Sequence, residues 1–84
     1  MTLNDLEFGD KFTYANPSMS GKAYQKNQGV GPCDIAIYCI SPGSTSKDDE
    51  IVSNYDFPIL KQDVRKLDPD FPVHKREKGH YPGP

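Results

Sequence analysis

The sequence predicts a mainly β protein: a small five-stranded barrel followed by an extended C-terminal tail. Three observations predict it. The longest apolar run, Cys33-Asp34-Ile35-Ala36-Ile37-Tyr38-Cys39-Ile40-Ser41, is bounded by turn chemistry, Gly29-Val30-Gly31-Pro32 before it and Pro42-Gly43-Ser44 after. A β-rich run of this length reads as a central strand. Its alternation puts Cys33, Ile35, Ile37 and Cys39 on one face and Ala36, Tyr38 and Ile40 on the other. Both faces are mostly apolar, so the strand is expected to be covered on both sides, as in a small closed barrel. Second, eight prolines and seven glycines among 84 residues, with 35% hydrophobic content, favour short strands and loops over long helices. Third, the composition changes at Asp68, where prolines and then basic residues take over.

A chain of this length has room for one domain, and it buries only about 60–65% of its unfolded surface. One or two central strands must therefore dominate the core. Lys11-Phe12-Thr13-Tyr14-Ala15 alternates cleanly and predicts the first strand, with Phe12 and Tyr14 on one face, after a lead-in anchored by Leu3, Leu6 and Phe8 and a Gly9-Asp10 turn. Residues 16–21 are a loop by composition, and 22–26 a second, weaker strand. Residues 27–32 should turn into the central strand. Ile51-Val52-Ser53-Asn54-Tyr55 predicts a fourth strand, ended by Phe57-Pro58. Leu60, Val64 and Leu67 have helical spacing, but a single turn followed by a closing strand over 63–67 fits equally and is preferred, because a barrel needs a closing strand. The domain is thus 1–67, and 68–84 is a Pro-rich, basic tail, extended or disordered when free.

The chemistry of catalysis and metal binding is not visible. Ser20-Gly21-Lys22 suggests a phosphate loop, but Asn16 stands where the first glycine is needed and Ala23 where Ser or Thr is needed. Cys33, Cys39, His74 and His80 lack the close spacing of zinc ligands. On one straight strand the two cysteines lie roughly 20 Å apart, outside disulfide reach, so they are expected as free thiols. Asp48-Asp49-Glu50, with Asp56 nearby, is the densest carboxylate cluster. In a polar loop it stays solvated, or else forms an acidic patch for a basic partner. Both histidines lie in the tail and no nucleophile–base motif is present, so no enzymatic activity and no cofactor are expected. The opening residues Met1 to Glu7 carry no apolar signal region, and no stretch reaches the ~20 apolar residues of a membrane span. A cytoplasmic location is the expectation.

Aromatic residues are numerous for so small a body: Phe8, Phe12, Tyr14, Tyr24, Tyr38, Tyr55 and Phe57 cannot all be buried. Some are core with polar tips; the remainder suit a binding face. The residues expected to touch a partner are Tyr14, Tyr24 and Tyr55 on an aromatic face, with Phe71, Lys75, Arg76 and Tyr81 in the tail, where Pro69-x-x-Pro72 also has the form of a polyproline ligand.

Leu6-Glu7-Phe8-Gly9-Asp10-Lys11-Phe12-Thr13-Tyr14, then Lys22-Ala23-Tyr24-Gln25-Lys26, then Asp63-Val64-Arg65-Lys66-Leu67 resembles small, mostly uncharacterised SH3-like barrel proteins of phages and mobile elements. The resemblance covers about residues 1–67. It implies a five-stranded SH3-like barrel without catalytic residues, acting as an accessory that binds a cellular target. The leading expectation is a non-enzymatic barrel that binds another protein, as a phage-encoded modulator or inhibitor of a host factor. The alternative is nucleic-acid binding by stacking aromatics with Lys22, Lys26, Lys61, Arg65, Lys66 and the basic tail, although a net charge of −2 works against it. A third reading is a small-ligand or effector-sequestering protein.

Overall fold

The structure, a computed structural model, describes residues 1–16 and 21–74. Five antiparallel strands form one sheet: β1 (Lys11–Tyr14), β2 (Tyr24–Gln28), β3 (Asp34–Cys39), β4 (Glu50–Ser53) and β5 (Val64–Lys66), in the order β4-β3-β2-β1-β5. A single helical turn, α1 (Phe57–Leu60), stands between β4 and β5, and 3-10 turns occupy Leu3–Asp5 and Ser46–Asp48. The fold is mainly β, and β4 and β5 are the two edges of an open sheet.

The central strand lies where the apolar run put it. β3 pairs with β2 over five residues, from Tyr24 opposite Cys39 to Gln28 opposite Ile35, and with β4 from Ile37 opposite Glu50 to Asp34 opposite Ser53. Directly opposed residues share a face, so the register sorts the sheet into two sides. One side carries Phe12, Tyr14, Ile35, Ile37, Val52 and Val64, all buried, and packs with Leu3, Leu6 and Leu60 into the core. Thr13, Gln25, Ala36, Tyr38 and Ile51 belong to the outer side.

The second strand is the main correction. It runs Tyr24–Gln28, two residues later than the sequence suggested. Asn27 and Gln28 resemble turn residues, yet they pair with Ala36 and Ile35. A strand held between two neighbours takes its length from the ladder rather than from its own propensities. The ambiguous stretch after Phe57 is one helical turn and then β5, as preferred.

The first ten residues fold beneath the sheet. Leu3 and Leu6 enter the core at 0% and 5% exposure. Asp10 N–H donates to Glu7 O (3.1 Å) and Glu7 N–H to the Asp10 carboxylate (2.9 Å), closing a tight turn. Gly9 N–H donates to Lys26 O, and Lys26 N–H donates to Asp10 O, so two residues face one across the ladder. Gly9 has φ +98, a conformation that glycine adopts without strain.

Residues 68–74, read from composition as the start of a tail, lie on the outer side of the sheet. Leu67 N–H donates to Lys11 O (2.8 Å) and His74 N–H to Ile40 O (3.0 Å). The Lys11 ammonium donates to Pro69 O and to Phe71 O (2.7 Å). Phe71 lines a shallow groove with Thr13, Ala23, Ser41, Pro42 and Leu67. The second face of the central strand, which ends in the buried Ile40, is thus covered at this end by the chain's own continuation.

Candidate interaction surface

The described residues among those named from the sequence do not form one open face. Tyr14 is 4% exposed and belongs to the core, which corrects its placement on an open aromatic face. It meets Phe12 edge-on at 5.3 Å and Tyr24 at 5.2 Å between ring centroids, and Tyr24 stacks on Phe12 at 5.8 Å. Burial, with the Glu50 charge second, pushes the Tyr14 hydroxyl up to about 12. Tyr24 is half-buried in that cluster. Phe71 is half-buried against the outer groove. Lys75, Arg76 and Tyr81 lie outside the described residues. Tyr55 is exposed, at 68%.

Around Tyr55 the structure assembles a different surface. The loop from β2 to β3 closes on Asp34: Gly29 N–H donates to Asp34 O (2.9 Å), Asp34 N–H to Gly31 O (3.2 Å), and Gly31 N–H to the Asp34 carboxylate (3.2 Å). A Cβ on Gly29 would stand 2.5 Å from Asp34 Cβ and 2.9 Å from its backbone carbon, so that position requires glycine unless the loop opens; one on Gly31 would meet only the Asp34 carboxylate, at 2.7 Å, which can turn aside. The residue between them, Val30, is fully exposed. Asn54 N–H donates to Cys33 O (2.8 Å) and ties this loop to the turn after β4. That turn is closed by Asp56 N–H to Ser53 O and Tyr55 N–H to Ser53 Oγ. It presents Tyr55 and, at the start of α1, Phe57 at 56% exposure. Three large apolar side chains thus project from two segments joined by a hydrogen bond. Val30 and Phe57 were not singled out from the sequence as contact residues, although Val30 between two glycines was a usable signal.

The carboxylate cluster is mostly engaged in the fold. Asp48 accepts from Thr45 N–H (2.8 Å) and pairs with Lys22 (3.1 Å), and Asp49 accepts from Cys39 N–H (3.0 Å). The cations of the nucleic-acid reading are dispersed. Lys26 is 5% exposed and donates inward to Leu3 O (3.0 Å) and Leu6 O (2.6 Å), so it is no surface contact. Lys22 and Lys66 lie beside Asp48 and Asp10. Cys33 and Cys39 are free thiols. Among the described residues no three His, Cys, Asp or Glu stand close enough to share a metal ion, and no helix is long and apolar enough to cross a membrane.

Comparison with protein-family models, with curated proteins and with solved structures found no match to this chain.

Proposed function

We propose that the protein is a non-enzymatic, SH3-like small barrel that binds another protein through the surface formed by Val30, Tyr55 and Phe57. The carrying observation is that these three side chains are exposed on hydrogen-bonded turns while the core closes without them. Apolar and aromatic side chains held in place by rigid turns lose little entropy on binding, and such anchors supply most of the energy of protein contacts. The strand order, in which the last strand returns to pair with the first, supports the SH3-like type. The resemblance to phage and mobile-element barrels extends the reading to a modulator or inhibitor of a host factor.

The test compares the unaltered chain with a Tyr55→Ser/Phe57→Ser double variant as bait in a host lysate. A stoichiometric partner held by the first, released by the second and retained in 0.5 M salt is expected, since an apolar anchor responds little to ionic strength. A partner held equally by both baits, or none at all, rejects the surface. Loss of the partner with salt and nuclease would favour nucleic acid instead.

A further inference from the structure

The segment Asp68–His74 occupies a seat that the rest of the chain builds without it. The floor of the groove comes from β1, the approach to β2 and the turn after β3. These parts are joined independently: Thr13 Oγ1 donates to Lys22 O (2.9 Å), Ala23 N–H donates to Ser41 Oγ (2.7 Å), and Ile40 N–H donates to Ala23 O (2.9 Å). The segment attaches to this floor in three ways. Its carbonyls at Pro69 and Phe71, two residues apart, accept from the Lys11 ammonium. The Phe71 ring lines the groove with Thr13, Ala23, Ser41 and Leu67. The His74 N–H donates to Ile40 O. Two of these attachments use main-chain atoms of the segment, whatever the residue types there. The third asks for an aromatic side chain, and a turn places it there: Phe71 N–H donates to Asp68 O (2.9 Å) and Asp70 N–H to the Asp68 carboxylate (2.8 Å), with Pro69 at the first corner. The segment contributes no residue to the core cluster.

We infer that this groove is a peptide-recognition site whose present occupant is the chain's own strap, and that it takes in trans a turn-forming segment of the same chemistry. That chemistry is an aromatic residue between two prolines, with carbonyls two residues apart for Lys11 and a following N–H for Ile40. The strap then acts as a tethered competitor at an effective concentration on the order of millimolar. The inference concerns the opposite side of the β1–β2 ladder from the core and does not depend on the surface around Tyr55.

The test uses the full isotope-labelled chain carrying Phe71→Ala, titrated with an end-blocked peptide of the sequence of residues 67–74 and followed by amide chemical shifts. Shifts at Thr13, Ala23 and Ser41 are expected, with half-saturation at about tenfold lower peptide concentration than the unaltered chain requires. The same peptide with alanine in place of its phenylalanine should shift none of them. A folded Phe71→Ala chain that ignores the peptide overturns the inference. A Phe71→Ala chain that fails to fold overturns it too, because the strap would then be core. In the unaltered protein, the His74 amide should exchange at least a hundredfold faster than the Ile40 amide; equal protection would mean that the strap leaves only when the body unfolds. Concentration-dependent dimerisation through exchanged straps would place a second copy in the seat and overturn the reading of a separate partner.

Discussion

Both ends of the described chain return to the sheet, and each is held by a lysine whose ammonium donates to two backbone carbonyls. Lys26 holds Leu3 O and Leu6 O on the core side; Lys11 holds Pro69 O and Phe71 O on the outer side. The attachments are alike in chemistry and differ in consequence. The opening segment brings Leu3 and Leu6 into the core, and its lysine is buried with it. That burial lowers the Lys26 ammonium below its ordinary range, with the Asp10 and Asp5 charges opposing the shift. The closing segment brings half-buried Leu67, Phe71 and Val73, and Lys11 remains partly open to solvent. A lysine clamp positions a segment on either side; apolar burial decides whether the segment is structure or cover.

The largest expected effect follows from that difference. Leu3→Ala removes a fully buried side chain where α1 meets the opening turn, and should cost about 2–5 kcal/mol in urea unfolding. Phe71→Ala removes a half-buried ring on the outer side and should cost about 1 kcal/mol. Comparable losses for the two would abolish the distinction between structural and covering ends.

How far this was legible in the sequence differs between the two sides of the sheet. β1 was found because its apolar alternation reports burial directly, β3 because its apolar run is bounded by turns, and β5 because a closing strand was preferred to the helical spacing of Leu60, Val64 and Leu67. β2 was displaced because Asn27 and Gln28, which resemble turn residues, owe their strand conformation to the pairing with β3. Tyr55 emerged as a surplus aromatic. Tyr14 was placed beside it on the same open face and is buried instead, although its alternation with Phe12 already put the two on one side of β1. The two clamps were illegible: each joins a lysine to carbonyls 20 or more residues away, and main-chain acceptors carry no residue type. Lys26 was read as a surface cation, because nothing in its residue type reports the buried carbonyls it meets.

Alkali should act on the core side. Tyr14 has its hydroxyl raised from 10.0 to about 12, chiefly by burial. Below pH 10 the phenol is neutral in both states and the stabilisation is complete. Between pH 10 and 12 the unfolded chain ionises while the folded one does not, so stability falls, by up to about 3 kcal/mol at about 1.4 kcal/mol per unit. The Tyr24 and Tyr38 hydroxyls are also raised by burial and add in the same direction. The lowered Lys26 acts with the opposite sign, because there the unfolded state holds its proton longer. Urea midpoints from pH 9.5 to 11.5 should fall for the unaltered chain and equally for Phe71→Ala. The fall should shrink for Tyr14→Phe.

Replacing the clamps themselves gives a smaller contrast. Lys26→Met leaves Leu6 O buried without its donor and should cost about 1–3 kcal/mol, while Leu3 O keeps the Leu6 N–H at 3.3 Å. Lys11→Met frees two carbonyls that water can reach and should cost about 0.5–1 kcal/mol. Hydrogen exchange should show the Lys11 change confined to residues 68–74. A Lys11→Met chain that loosens throughout would make the outer segment integral to the body.

Acid supplies the finest discrimination. The Asp5 carboxylate lies below its usual range, mainly because Thr2 N–H donates to it at 2.9 Å. With the folded value depressed, its stabilisation is present above the unfolded value of 3.8 and is lost as pH falls through the folded one. Asp5 is fully exposed, so the effect on global stability is small and the local one is what can be read. The Thr2 amide shift should titrate below pH 4 and lose that step in Asp5→Ala. The Leu67 amide, which donates to Lys11 O rather than to a carboxylate, should stay still through the same range. If both amides move together, acid acts on the whole sheet, and the two ends are coupled through it rather than fastened separately.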